Sequence, residues 1–182
     1  MQAKNGHLYG AYLNMQYIDE GYVFLYLSNT DLSTGETSSF DAGMDYLYLA
    51  ATETAQAADG TVYGVFYSAD GNSLEWGTVD YETCQRTTIG PASQAFVAIG
   101  ITKAGQLYAI GMDGKLYKVN KSTGEETLVG ATGLPLTNLM GQYYGQSGEI
   151  DQRDDTFYWY CIDRQAQGGL YTVDLNTGTA AL

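Results

Sequence analysis

Apolar and polar positions along this chain come in short runs, each closed within a few residues by glycine, aspartate or asparagine. In "GQLYAIGMDGKLYKVNKSTGEETLVG", residues 105–130, three apolar runs are separated by Asp113-Gly114 and by Asn120-x-x-Thr123-Gly124. Such runs, bounded by turn residues, predict antiparallel strands joined by hairpins. The second of these turns is a repeat. Asp31, Thr34 and Gly35 form it first, Asp174, Thr177 and Gly178 form it last, and Asp80 and Thr83 form it with Cys84 in the glycine place. An Asp or Asn side chain accepts a backbone N–H two residues on, and glycine supplies the positive φ that closes the bulged hairpin. A cysteine there should cost about 1 kcal/mol.

A second anchor precedes each turn. Tyr9 follows Leu8, Tyr63 follows Val62, Tyr108 follows Leu107 and Tyr158 follows Phe157, and a turn signal stands before each pair. A further run lies ahead of the aromatic one in "DYLYLAATE", "AFVAIGIT" and "YYGQSGEID", and another follows it in "EWGTV", "KLYKV" and "GLYTV". Each unit therefore reads as four antiparallel strands, and repeats of about 40–50 residues of this kind are blades of a β-propeller. The predicted fold is all-β, one domain of about four blade-like units at 1–43, 44–93, 94–137 and 138–182. "YGVFY" and "FYWYC" are apolar at consecutive positions, so both sheet faces need cover. Neighbouring blades provide that, and a sheet with one wet face does not. The alternative is a sandwich or barrel with look-alike hairpins.

The Asp-x-x-Thr-Gly turn after a "LYxV" strand resembles the repeats of bacterial β-propellers, the quinoprotein-like and surface-layer-type groups among them. "QSGEIDQRDDTFYWYCID", followed by "GGLYTVDLNTG", is similar to blades of secreted bacterial propellers of unknown function. The resemblance implies a secreted or cell-surface protein. The tryptophan that regularly follows the turn in quinoprotein repeats is missing here, so no quinone or other cofactor is expected.

Composition sharpens this picture. The chain has 23 glycines, 17 tyrosines and only 2 prolines, which suits many glycine turns between tyrosine-bearing strands. The net charge is −13, so polyphosphate is repelled, nucleic acid is excluded as a partner and anionic membrane surfaces are disfavoured. No apolar run approaches the ~20 residues of a spanning helix, and "MQAKNGHLYG" is no secretion leader. Cys84 and Cys161 sit in unlike contexts and predict neither a disulfide framework nor a zinc site.

At the ends, "MQAKNG" runs straight into the aromatic strand, so the first unit should lack most of its innermost strand. The last unit stops at "TGTAAL", early in its closing strand. The chain then reads as an excerpt of a larger propeller, or as an incomplete ring that self-associates through its end blades.

Candidate ligand-binding residues lie on the innermost strands, which line a propeller's channel. They are Glu53 in the second unit, Thr102 in the third, and Gln146, Ser147, Glu149 and Asp151 in the fourth, with Tyr143 and Tyr144 at a loop entry. Glu149 and Asp151 share one strand face and offer an acid–base pair or a hard-cation site, against a plain hydrated lining. Asp70-Gly71 and Asp113-Gly114 read as hairpin turns, lacking the alternating oxygens of a calcium loop. His7 is the only histidine, so no histidine metal site or Ser–His–Asp triad is expected. No catalytic or metal residue is assigned. The reading is a non-catalytic recognition or scaffolding module for glycan or protein, and the alternative is a glycan-acting hydrolase or lyase with a carboxylate site at the channel mouth.

Overall fold

In the computed structural model, residues 1–14, 24–43, 47–134, 146–162 and 168–182 are described. They form four antiparallel four-stranded sheets, the blades of a β-propeller, with no α-helix among them. The first holds β1 (Gln2–Lys4), β2 (His7–Asn14), β3 (Phe24–Asp31) and β4 (Thr37–Gly43). The second holds β5 (Ala51–Gln56), β6 (Val62–Tyr67), β7 (Leu74–Asp80) and β8 (Gln85–Ala92), entered through a 3-10 turn at Leu47–Leu49. β9 (Phe96–Ile101), β10 (Leu107–Gly111), β11 (Lys115–Val119) and β12 (Glu126–Ala131) make the third. β13 (Ser147–Asp151), β14 (Thr156–Ile162), β15 (Gly168–Val173) and β16 (Ala180–Ala181) make the fourth. Strand order within each blade follows the sequence.

The first blade does have an inner strand, contrary to the expectation from the sequence. Gln2–Lys4 pairs antiparallel with β2, and the Gln2 amide oxygen accepts the Tyr81 N–H at 2.9 Å. Three residues are too few to show a period, which is why the strand was invisible. The closing strand of the fourth blade is, as expected, only two residues long.

The repeated turns have the predicted chemistry. Oδ1 of Asp31, Asp80, Asn120 and Asp174 accepts the N–H two residues on at 2.7, 3.0, 2.9 and 2.7 Å. Gly35, Gly124 and Gly178 have φ of +75°, +75° and +82°, and Cys84 takes the same left-handed conformation at +57°. Replacing glycine there strains the second blade's turn by about 1 kcal/mol.

Blade faces make the core. One apolar cluster lies between blades one and two, around Leu25, Leu27, Val62 and Phe66. Another, with Val65, Trp76, Phe96 and Leu107, lies between two and three. The third, with Ile110, Leu116, Phe157 and Trp159, lies between three and four. The anchor pairs explain the order. Val62, Leu107 and Phe157 face back onto the preceding blade and are fully covered, whereas the tyrosine after each faces forward. The Tyr9 hydroxyl reaches Glu82 Oε1 at 3.3 Å in the next blade's turn, and Lys121 in the following turn lies 5.3 Å over the Tyr63 ring.

A glycine in the outer strand lets the blades approach. β8 and β12 each carry a register shift followed by Gly90 and Gly130. A Cβ at Gly90 would stand on the Thr123 carbonyl oxygen, and one at Gly130 on the Thr177 carbonyl oxygen. Backbone thus lies against backbone at both interfaces, with no room for a methyl group.

Candidate functional site

Inner strands β5 and β13 both pack against β9, so the second and fourth blades point residues into one channel. A register shift between Ala51 and Glu53 bulges β5 and re-aims the Glu53 side chain. Glu53 Oε1 accepts its neighbour Thr54 N–H at 2.9 Å, and its carboxylate also accepts the Ser147 hydroxyl from the fourth blade. Burial raises the Glu53 carboxyl above the ordinary carboxylate range despite these hydrogen bonds.

Glu149 stands close by. Its Oε1 accepts the Ile150 N–H at 2.9 Å, and the Ile101 N–H of the third blade also donates to it. Burial raises its carboxyl to about 7, and the charge of Glu53 adds to the shift. The side chain still meets channel water, but protein surrounds it closely enough that lost hydration outweighs its hydrogen bonds. Two carboxyls from different blades therefore share one site.

The other candidates are placed as follows. Gln146 precedes β13, and its buried Oε1 accepts no hydrogen bond among the described residues. Asp151 is held by its own turn: Oδ1 accepts the Arg153 N–H and Nε, each at 2.9 Å, and the Arg153 pairing lowers its carboxyl to about 2. It is not brought to Glu149 as a second acid. Thr102 lies just past β9, where its hydroxyl accepts the Gln106 N–H at 3.0 Å and closes a turn. Tyr143 and Tyr144 lie outside the described residues.

Sequence reasoning missed two parts of this region. The first is an amide tie. Gln56 Nε2 and Oε1 bond Ala3 O and N, each at 2.8 Å, while Gln152 Nε2 donates to Gln56 O at 3.1 Å. Blades one, two and four are so joined at one end of the channel. The second is a cavity of about 340 Å³ beside Glu53, walled by Ala11, Tyr12, Leu25 and Ala50 and bearing Thr52, Thr54 and Tyr81. That volume is at the lower end for small-molecule sites. Burial pushes the Tyr81 hydroxyl above its usual range, with Glu53 adding to the effect. Tyr12, at the rim, stacks on Tyr26 with centroids 5.3 Å apart. Tyr81, in the turn after β7, had no strand pattern to flag it. The cavity presents a carboxyl, hydroxyls, an aromatic rim and the Met1 amino group, which donates to Thr54 Oγ1 at 3.2 Å and lies in the field of Glu53.

No protein-family model and no curated protein matches the chain. Solved structures similar to it include a protein of unknown function from Bacteroides thetaiotaomicron, at 17% identity and a TM-score of 0.57, covering 88% of this chain and 40% of that one. TolB from Acinetobacter baumannii is similar at 16% identity and a TM-score of 0.52, with 93% and 39% covered. A calcium-binding protein, regucalcin, from Agrobacterium tumefaciens is similar at 10% identity and a TM-score of 0.52, with 95% and 72% covered. At these identities the likeness establishes the propeller fold alone. The chain spans about 40% of the length of the first two.

Proposed function

We propose that this chain is a recognition module of a secreted or surface-displayed protein and that its channel-side cavity holds a glycan residue. One observation carries the reading: the cavity joins Glu53 to Thr52, Thr54 and Tyr81 beside an aromatic rim. A neutral polyol fits that set, because its hydroxyls can both donate to and accept from a carboxyl and phenol, and its apolar face suits a tyrosine. The overall charge of −13 disfavours anionic ligands. The bacterial and secreted character rests on the resemblance of the blade motifs.

The test is ligand-observed NMR with neutral hexoses and their oligosaccharides, comparing the native chain with Glu53→Gln. Binding should weaken roughly ten- to hundred-fold on losing this carboxyl, the worth of a hydrogen bond to a charged group, with an unchanged melting curve. Failure of every sugar to bind, or binding indifferent to the substitution, overturns the reading.

A second reading has its own observation. Glu53 and Glu149 both hold protons more tightly than free carboxyls do, as a general acid must. A hydrolase or lyase would then release the chromophore from nitrophenyl glycosides and lose that turnover in Glu149→Gln. The recognition reading expects no turnover in either protein.

A further inference from the structure

The cavity beside Glu53 carries an unbalanced charge. The hydrogen bonds to its carboxyls come from neutral donors: Thr54 N–H and the Ser147 hydroxyl to Glu53, Ile150 and Ile101 N–H to Glu149. Among the described residues, no lysine or arginine forms an ion pair with either. Cations on neighbouring segments are engaged elsewhere. Lys4 on β1 bridges Asp80 and Glu82, and Arg153 after β13 holds Asp151. Asp151 is thereby neutralised within its own turn and adds no charge to the site.

One positive group does stand on the cavity wall. The Met1 amino group bonds Thr54 Oγ1 and lies in the fields of Glu53 and Glu149, without an ion pair to either. Two carboxylates against one ammonium leave one negative charge. If further chain preceded residue 1, its nitrogen would be an uncharged amide, and the excess would be larger with the same sign. Tyr81, the other titratable group on the wall, is a neutral phenol whose hydroxyl burial holds above its usual range. The imbalance also shows in the carboxyls themselves: burial raises both, and the charge of Glu53 raises Glu149 further. A cation brought to them favours the ionised form of each and reverses that shift.

The wall chemistry says which cation fits. A divalent metal takes about six to eight oxygens, several from carboxylates. Among the described residues no group of three or more His, Cys, Asp or Glu side chains is placed to hold one. An ammonium needs only hydrogen-bond acceptors, and Glu53 with the Thr52 and Thr54 hydroxyls offers them.

We propose that the hexose unit taken by this cavity is an amino sugar with a free amino group, its ammonium bonded to Glu53 in the field of Glu149. This inference rests on the glycan reading and narrows it. The ring keeps the contacts open to any polyol, with hydroxyls toward Tyr81 and the threonines and an apolar face on Tyr12. The ammonium adds a charge-assisted hydrogen bond, roughly twice as strong as a neutral one. Acetylating the nitrogen removes the charge, so an N-acetylated unit gains nothing.

Ligand-observed NMR near neutral pH and at low salt, with glucosamine, glucose, N-acetylglucosamine and methylammonium, tests it. Glucosamine should bind roughly ten-fold tighter than glucose. N-acetylglucosamine should bind no tighter than glucose, and methylammonium far more weakly than glucosamine. In Glu53→Gln and in Glu149→Gln, each checked by its melting curve, the glucosamine-to-glucose ratio should fall toward one. A carboxyl-carbon titration reads the charge directly: saturating glucosamine should lower the Glu149 midpoint from about 7, and saturating glucose should not. Glucose binding as tightly as glucosamine, a preference unchanged in both variants, or methylammonium binding as tightly as glucosamine overturns the inference and leaves the glycan reading standing. No binding by any hexose overturns both.

Discussion

Gly130→Ala is expected to destabilise the protein by about 3 kcal/mol or more, lowering Tm by roughly 6–12 °C for a chain of this size. The reason is not conformation, since Gly130 has an ordinary φ. The added methyl would overlap the Thr177 carbonyl oxygen of the fourth blade's turn, and backbone has no rotamer with which to yield. Relief would require blades three and four to part, exposing Ile110, Phe157 and Trp159 in the cluster beneath. Gly178→Val, on the other side of the contact, combines the same obstruction with strain: φ is +82°, and its Cβ would lie 2.7 Å from the Gly130 carbonyl. Asp113→Asn is the control. It keeps a side-chain oxygen to accept the Lys115 N–H, now at 3.2 Å, but loses the carboxylate that accepts the Tyr117 hydroxyl and pairs with the Lys115 ammonium, and should cost about 1 kcal/mol. Thermal melts of these variants give the comparison, and equal shifts would contradict the blade packing.

Trp76→Ala should cost about 3–5 kcal/mol, the usual range for emptying a buried aromatic site. Trp76 is 1% exposed between blades two and three, with its ring 5.0 Å from that of Phe96 and its Nε1 donating to Glu126 Oε1 at 2.8 Å. Its side chain also floors the third blade's turn, 3.3 Å from where a Gly124 Cβ would be. Removal opens a cavity and takes from Glu126 Oε1 one of its two donors, leaving the Ser93 N–H as the other. Leu128→Ala, on the outer strand of blade three, removes an apolar side chain that already meets water and should change stability by about 0.5 kcal/mol at most. Denaturant unfolding of the two variants separates a radial core from one spread evenly over the sheets.

The fold was legible where the chemistry is local. An Asp or Asn acceptor and a positive-φ glycine specify a turn within five residues, so the four corners, and Cys84 as the strained one, could be read directly. The anchor tyrosines were legible because alternation along a strand fixes which side faces forward. Gly90 and Gly130 were not singled out, although each follows an aliphatic residue at the same distance after the turn. Their role depends on a carbonyl about 40 residues away. The site was legible only in part. Glu53 and Glu149 were each placed on an inner strand, but their meeting depends on two blades separated by a third. Asp151 was matched to Glu149 by strand alternation, and there a local competitor won: its carboxylate serves the turn and Arg153. The Gln56–Gln152 tie has no signal in the sequence, since an amide's partner is set only by the assembled channel.

The convergence of blades two and four on one channel is tested most directly by an NMR titration of the glutamate side-chain carboxyl carbons. Glu149 should titrate near pH 7 and Glu53 above the ordinary carboxylate range. Because the fold raises the Glu149 value, its protonated form contributes stability that is whole below the unfolded value of 4.5 and is lost as pH rises through about 7. Glu53→Gln removes a neighbouring negative charge and should move the Glu149 midpoint down. Midpoints near 4.3 for both groups, with Glu149 unmoved by Glu53→Gln, would show that the two carboxyls do not share a site.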